Sequence, residues 1–491
     1  MPYNRYNSKQ RNASRSGVSA SGRKERIGLK YMEQMNDLLS RVHKLHFVGI
    51  GGSGMCPIAE ILHHEGYELT GSDVNESDTL ARIRSYGIPV AMGHRAENIG
   101  DAEAVVFTAA VKRDNPELVA AAKKGIPLIE RSEMLGMVSS RYPQTIGVSG
   151  THGKTTTTSM ITQIFLDAQL DPTVVIGGKL KSMGSSGRVG SSDFFICEAC
   201  EFADTFLQLH PHTAVILNID NDHLEFFGTV QNTIRHFHQY GLQTSTRIIV
   251  NGDDAHSMQA VAGLTGREIV TFGLNESNEF TAGNITAEHG AFMRFDLMHR
   301  GEKLCTVKLN IPGRHHIYNA LAAAATAIRA GVLPEQIADS LARFTGACRR
   351  FEILGRPNGI TIADDYAHHP TELRATLTAA KELGFRKVWA VFQPFTFSRT
   401  KMLLDDFADV LAIADRVVMT EIMGSREVNT YHIYTADLAA KIPGSVWFPT
   451  FDEVAQYIVD HAEPGDLVIT LGCGDIYKAA KLMLKKYGEP V

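Results

Sequence analysis

The sequence predicts an α/β chain of mostly parallel sheets divided into three domains. Short apolar runs at Leu45–Ile50, Val105–Phe107, Thr145–Val148, Phe194–Cys197, Ala214–Leu217, Val388–Phe392, Arg416–Met419 and Leu467–Leu471 alternate with helical patterns. Strands separated by helices of about 10 to 15 residues imply right-handed crossovers and hence parallel pairing. A length of 491 residues suits about three domains at roughly 150 residues each. Composition breaks near Arg141-Tyr142-Pro143 and Phe344-Thr345-Gly346 divide the chain into 41–142, 143–345 and 346–491, after a lead-in over 1–40.

Taken in chain order, the lead-in is distinct. Residues 1–30 carry eight Lys or Arg and one Glu, a charge of +7, which leaves −12 on the remainder of a chain whose formal charge is −5. Rich in Ser, Asn and Arg and poor in large aliphatics, it reads as a solvated extension, with a transit peptide as the alternative. An acidic body offers no general attraction to nucleic acid or anionic lipid, so any anionic ligand needs a local site. No run approaches the roughly 18 apolar residues of a membrane helix. Six cysteines without disulfide spacing point to a reducing, cytoplasmic setting. Cys197-Glu198-Ala199-Cys200 matches C-x-x-C, but it ends a buried strand, which favours packing over redox chemistry.

The first block opens with the strand Lys44–Val48 and then Gly49-Ile50-Gly51-Gly52-Ser53-Gly54, followed by a helical pattern at Met55, Ile58, Ala59 and Leu62. Strand, glycine turn and helix place backbone N–H groups against a diphosphate. Ser72-Asp73 ends the next apolar run, and Asp73 stands where an acid accepts hydrogen bonds from a ribose. On these residues alone the block is a Rossmann-like dinucleotide site, and an NAD-dependent oxidoreductase is one reading.

The second block is sharper. Gly150-Thr151-His152-Gly153-Lys154-Thr155-Thr156 follows the strand Thr145–Val148 and begins a helix with Met160, Ile161, Ile164 and Phe165 on one face. This is a triphosphate loop with a shortened interval between its glycines. Lys154 supplies a point charge for the β- and γ-phosphates, and the hydroxyl of Thr155 or Thr156 a ligand for Mg²⁺. Glu198, Asp220, Asp222 and His223 follow the next strand ends, where carboxylate and imidazole suit Mg²⁺ or Mn²⁺ on phosphate oxygens. In the third block, Leu467–Leu471 runs into Gly472-Cys473-Gly474-Asp475, a second Rossmann-like pattern read here as scaffold.

With three further motifs in the same order, the chain resembles the Mur ligases, ATP-dependent amide-forming enzymes of bacterial peptidoglycan synthesis. These are Pro312-Gly313-Arg314-His315-His316 running to Asn319, then Arg349-Arg350-Phe351-Glu352, then Asp364-Asp365-Tyr366-Ala367-His368-His369-Pro370-Thr371-Glu372. The likeness runs from about Leu45 to the C-terminus. It implies that Gly49, Gly51, Gly52, Ser53, Gly54, Ser72 and Asp73 bind a UDP-sugar, which displaces the dinucleotide reading. It implies that Gly150, Thr151, His152, Gly153, Lys154, Thr155 and Thr156, with His315, His316, Asn319, Arg350 and Asp365, bind ATP. Thr155, Thr156, Glu198 and His223 would hold the metal, and His368, His369 and Arg399 would meet the amino acid. Lys154, His223, Arg350 and His368 are the implied catalytic set, with His223 or His368 as base toward the amine.

Within the family the motifs resemble the alanine-adding type, with UDP-N-acetylmuramate and L-alanine as substrates, ATP with Mg²⁺ or Mn²⁺, no nucleic acid and a monomer or homodimer. Later-acting relatives carry a carbamylated lysine beyond the position of His223, yet no lysine occurs between Lys181 and Lys303. The expected reaction is attack of the lactyl carboxylate on the γ-phosphate, giving an acyl phosphate that the amine converts to an amide. The nearest alternative is the peptide-recycling ligase of the same family. Three positions depart from common family residues: Cys200, His316, and Phe395-Thr396 ahead of Arg399.

Overall fold

The computed structural model describes residues 37–490 apart from 221–223, 289 and 426. The basic extension, Asp222 and His223 lie outside the described residues, so the roles expected of them have no structural counterpart here.

Three sheets follow one another along the chain. The first holds β1 (Lys44–Val48), β2 (Glu68–Asp73), β3 (Val90–Met92), β4 (Ala104–Phe107) and β5 (Leu128–Glu130), all parallel, in the order β3-β2-β1-β4-β5. The strand order reverses between β1 and β4, which opens a crevice at their carboxyl ends, where the first glycine loop leaves β1.

The second sheet is built from β6 (Gln144–Ser149), β7 (Thr173–Leu180), β8 (Ser185–Arg188), β9 (Phe194–Glu198), β10 (Thr213–Ile216), β11 (Arg247–Asn251), β12 (Glu268–Phe272), β13 (Phe280–Glu288), β14 (Phe292–His299) and β15 (Glu302–Pro312). Its order, β15-β14-β13-β12-β11-β10-β6-β9-β7-β8, puts β6 between β9 and β10. The β6 strand is buried from Thr145 to Ser149, as a run covered on both faces must be. An antiparallel extension, β13 to β15, was not among the strands read from the sequence.

The third sheet contains β16 (Glu352–Gly355), β17 (Thr361–Asp365), β18 (Val388–Phe392), β19 (Arg416–Thr420), β20 (Val446–Phe448) and β21 (Leu467–Leu471), in the order β16-β17-β21-β18-β19-β20, parallel except for β16. Among the described residues no helix is long and apolar enough to cross a membrane.

Packing joins these sheets unequally. One continuous buried cluster runs from Phe47 and Ile58 of the first through Met134 and Val138 to Phe206, Phe237 and Tyr240 of the second. The third sheet keeps its own clusters on its two faces, around Leu373, Phe392 and Phe407 and around Trp389, Ile458 and Met483. Its link to the rest is thin. Cys348 N–H donates to the Lys179 carbonyl at 2.8 Å, and Leu180 bridges Ala347. A shared apolar core resists relative motion and a small polar interface permits it.

Candidate active site

The phosphate loop forms because β6 ends against β10 and the chain must reverse into the helix Lys154–Asp167. Gly150 and Gly153 adopt φ of +136° and +86°. A Cβ on Gly153 would lie 2.6 Å from Asn319 Oδ1, so both backbone and neighbour demand glycine there. Asn218, two residues after β10, accepts the His152 N–H at 2.8 Å and donates to the His152 carbonyl at 3.0 Å, clamping the loop.

Lys154, the first residue of the helix, turns back over the loop. Its Nζ donates to the Thr151 carbonyl at 3.1 Å and to the Glu201 carboxylate at 2.9 and 3.1 Å. Burial works to lower its pKa, but Glu201, the Cys200 sulfur and Glu198 outweigh it and hold the ammonium charged. Glu201 is a residue the sequence reading passed over, although it follows Glu198 in the same turn.

Thr155 and Glu198 meet as expected, with Thr155 Oγ1 donating to Glu198 Oε2 at 3.2 Å. The other oxygen of Glu198 accepts the Gly177 N–H at 2.7 Å, which fixes the carboxylate. A hydroxyl beside an oriented carboxylate at a phosphate loop is an oxygen donor set that fits a hard divalent cation. Thr156 is buried behind it.

His315 is exposed at the start of the helix His316–Arg329, and its ring lies 4.0 Å from that of His316. His316 and Asn319 are buried, and Asn319 Nδ2 donates to His316 Nδ1 at 3.1 Å. Burial keeps His316 neutral by pushing its pKa well down. Of the three residues expected at adenine, Asn319 stands against Gly153 of the phosphate loop with His316 bonded to it, and His315 is exposed.

The third domain approaches the same loop. Arg350 Nη2 donates to Thr155 Oγ1 at 3.4 Å. It sits in a tight turn whose flanking residues, Arg349 and Phe351, have φ of +60° and +47°. The turn is held by Asp365, which accepts the N–H groups of Phe351 at 2.8 Å and Ala367 at 2.7 Å. Burial raises the Asp365 carboxyl to about 6. Both arginines lie over the Tyr366 ring, at 4.9 and 5.1 Å.

His152 bridges the two domains. Its Nε2 is 3.2 Å from Asp220 and its Nδ1 3.4 Å from Glu372, while Thr371 Oγ1 donates to Asp220 at 3.2 Å. Burial opposes a charge on His152, but Asp220 and Glu372 raise its pKa to about 9. Potential ligand atoms of His152, Asp220 and His369 lie within 4.8 Å of one another. His369 Nδ1 accepts the Thr371 N–H and His152 faces carboxylates at both nitrogens, so in this structure the group forms an ionic bridge between the domains.

Beside it, His368 Nδ1 faces the Tyr366 carbonyl and Glu372, each at 3.1 Å, which leaves Nε2 with its lone pair. Arg399 lies on the short helix Phe397–Met402 and interacts electrostatically with Cys473 in the same crevice.

The first glycine loop is quieter. Asp73 Oδ2 accepts the Gly51 N–H at 2.9 Å, and Oδ1 accepts those of Val74 and Asn75 at 2.8 and 3.1 Å. The acid expected at a ribose is thus engaged in shaping the turn. Ser72 Oγ donates inward to the buried Glu117 at 2.7 Å, away from the loop. Gly49 and Ile50 N–H groups bond the Ser72 carbonyl, and that of Gly52 bonds the Gly49 carbonyl. Among the described residues the N–H groups of Ser53 and Gly54 make no such bond.

Family models match along nearly the whole chain: the Mur ligase family catalytic domain over 44–143, the Mur ligase middle domain over 148–327 and the Mur ligase glutamate ligase domain over 349–474. The chain is 42% identical to the UDP-N-acetylmuramate--L-alanine ligase of Acetivibrio thermocellus, over 92% of this chain and 98% of that one. It is 45% identical to the enzyme of the same name from Agathobacter rectalis, over 92% and 99%. Among solved structures it is similar to the UDP-N-acetylmuramate-alanine ligase of Thermotoga maritima, with a TM-score of 0.78 and 28% identity over 91% of this chain and 99% of that one. A murein peptide ligase from Psychrobacter arcticus is also similar, with a TM-score of 0.72 and 25% identity over the same shares. The three sheets, the phosphate loop facing an arginine turn from another domain, and these matches together establish that the chain belongs to the Mur ligase family.

Proposed function

We propose that this protein joins L-alanine to the lactyl carboxylate of UDP-N-acetylmuramate, with cleavage of ATP to ADP and phosphate, in peptidoglycan precursor synthesis. The relatives at 42% and 45% identity carry that activity in their names. The observation that carries the reading within the molecule is the phosphate loop between Glu198 and Glu201, faced by Arg350 of a separate, thinly attached domain.

In this reading 41–142 binds the UDP-sugar, 143–345 binds ATP and 346–491 binds the amino acid. Lys154 exchanges Glu201 for the phosphate oxygens, a trade of one anionic partner for another that keeps its charge compensated. Thr155, Thr156 and Glu198 would hold Mg²⁺, which supplies charge neutralisation on the phosphates when bound. Arg350 comes from the opposite lobe, so its charge reaches the γ-phosphate only with the domains together, when water is also excluded.

The lactyl carboxylate attacks the γ-phosphate and ADP leaves. The alanine amine then attacks the acyl phosphate and expels phosphate, leaving an amide. His368 is the better-supported base, since its Nδ1 is tied to Tyr366 and Glu372 and its Nε2 is free to take the ammonium proton. His369 and Arg399, in the same domain, are the residues that would meet the alanine carboxylate. The test is mass detection of UDP-N-acetylmuramoyl-alanine from purified protein, ATP, Mg²⁺ and the two precursors. Product with a preformed tripeptide in place of alanine, and none with alanine, would refute the proposal.

A further inference from the structure

Resting on that reading, we infer that His152, a residue of the phosphate loop, is a positioning residue for the second half of the reaction: acting through Glu372, it sets His368 to take the proton of the incoming amine. The loop motif groups His152 with the residues that bind ATP. Its ring instead meets the third domain.

One carboxylate spans two imidazoles. Glu372 lies in the first turn of the helix Pro370–Glu382 and is mostly buried. Its Oε1 is 3.4 Å from His152 Nδ1, while its Oε2 is 3.1 Å from His368 Nδ1 and accepts the His368 N–H at 3.1 Å. Burial works against the ionised form, but His368 and His152 hold the carboxyl well below its usual range. It is therefore an acceptor only.

That decides where the protons sit. His152 faces a carboxylate at each nitrogen, Asp220 at Nε2 and Glu372 at Nδ1, so both nitrogens donate and the ring is an imidazolium. His368 Nδ1 faces the Glu372 carboxylate and the Tyr366 carbonyl, neither of which donates, so Nδ1 carries the proton and Nε2 keeps the lone pair. The His368 ring is confined as well, with the rings of Tyr366 and Phe395 at 5.7 and 6.3 Å and steeply inclined to it.

A carboxylate that orients a basic histidine needs both of its own oxygens held. Here the second is held from another domain. The carboxyl torsion of a glutamate is soft, so with the third domain apart Oε1 meets water in place of the imidazolium and Glu372 is free to turn off His368. With the domains together, His152 fixes Glu372 and Glu372 fixes His368. Because Asn218 clamps the His152 backbone on both sides, the anchor belongs to the loop that holds the triphosphate. The base is thus in order only where an acyl phosphate can have formed. One proton of the alanine ammonium then passes to His368 Nε2, and the freed electron pair makes the C–N bond. The bond from the carbonyl carbon to the phosphate oxygen breaks, and the second amine proton leaves with the phosphate.

Alanine and hydroxylamine, supplied in turn with ATP, Mg²⁺ and UDP-N-acetylmuramate to wild type, Glu372→Gln and His152→Gln, test this. Hydroxylamine is already unprotonated at neutral pH and traps an acyl phosphate as a hydroxamate without a base. Glu372→Gln should lower kcat with alanine by about 10²-fold and His152→Gln by about tenfold, with hydroxamate formation within about three-fold of wild type in both. Phosphoryl transfer is spared because Arg350 reaches the loop through Thr155 and not through His152. Equal losses with both nucleophiles would place His152 and Glu372 in phosphoryl transfer or in the fold and overturn the inference, as would undiminished alanine turnover in either variant. Wild-type protein that makes no amide from alanine would remove the activity reading itself, whereas active wild type with indifferent variants removes only this inference.

Discussion

The two glycine loops begin alike, each leaving a central parallel strand and entering a helix, and they end as different instruments. In the first, most of the turn is spent on itself: Ser72 and Asp73 take the N–H groups of Gly49, Ile50 and Gly51, and the turn holds no cation. In the second, Lys154 stands on the helix and is balanced by Glu201, while Thr155 and Glu198 form a hard oxygen pair. The same backbone motif is therefore a passive cradle in one domain and a charge-dense reaction site in the other. What decides between them is not the glycine count but the charge delivered at the helix start and by the acids of neighbouring strand ends.

The sharpest way to break that contrast is to remove the charge. Lys154→Met should reduce ADP release by about 10²–10³-fold or more. It also strands Glu201, which is 2% exposed, at a cost of about 3–5 kcal/mol for a broken buried pair. The double variant Lys154→Met/Glu201→Gln should regain most of the melting temperature and none of the turnover. Recovery of turnover would show that the lysine serves the fold and not the phosphates.

Next in size is the backbone. Gly153→Ala meets both a left-handed φ, worth about 1–2 kcal/mol, and the Asn319 oxygen. A loss of about tenfold in ATP-analogue affinity is expected, with the UDP affinity unchanged. Gly51→Ala should do the reverse on a smaller scale, since a Cβ there meets the Asp73 carboxylate at 2.9 Å and Leu80 Cδ1 at 3.3 Å, both side-chain ends, with no left-handed φ. Equal effects on both ligands from either variant would mean that the loops are not separate sites.

Much of this was legible before any coordinates. Val388–Phe392 and Leu467–Leu471 occur as strands with the bounds their composition predicts, because strands covered on both faces are continuous apolar runs. The hairpin β13 to β15 escaped because its residues alternate between buried and exposed, with polar groups interleaved, so no continuous run announces it. The site divides in the same way. Lys154, Thr155 and Glu198 follow from motif and strand ends. Asn319 beneath Gly153 and His152 against Glu372 join residues far apart in the chain, and no local pattern encodes such distances.

The loops also differ in how they touch a neighbouring domain, and pH acts on one of them only. The first is reached by Ser186 Oγ, which donates to the Ser53 carbonyl at 3.2 Å, a contact without titratable groups. The second is reached through His152, raised to about 9 between Asp220 and Glu372. A histidine raised in the folded state contributes its full stability below its unfolded pKa of about 6.5, and that contribution is lost as pH climbs through 9. The contribution is on the order of 2 kcal/mol. Between pH 7 and 10, small-angle scattering should therefore show the third domain swinging away in wild type, and His152→Gln should flatten that dependence. If His152→Gln leaves the pH profile unchanged, the bridge is not what holds the domains together.

The smallest effect concerns Asp73, and it separates two meanings of the same acid. Read as a ribose acceptor, Asp73 would be worth a charged hydrogen bond to ligand, so Asp73→Asn would cost UDP binding tenfold or more by roughly 1.5–3 kcal/mol. In the structure its oxygens accept the N–H groups of Gly51, Val74 and Asn75, all from its own chain. An asparagine keeps one acceptor oxygen and turns the other position into a donor that faces an N–H. The turn should loosen by about 1 kcal/mol, with UDP affinity falling only about two- to five-fold and NADH not binding at all. A tenfold loss of UDP affinity from Asp73→Asn would return the acid to the ligand.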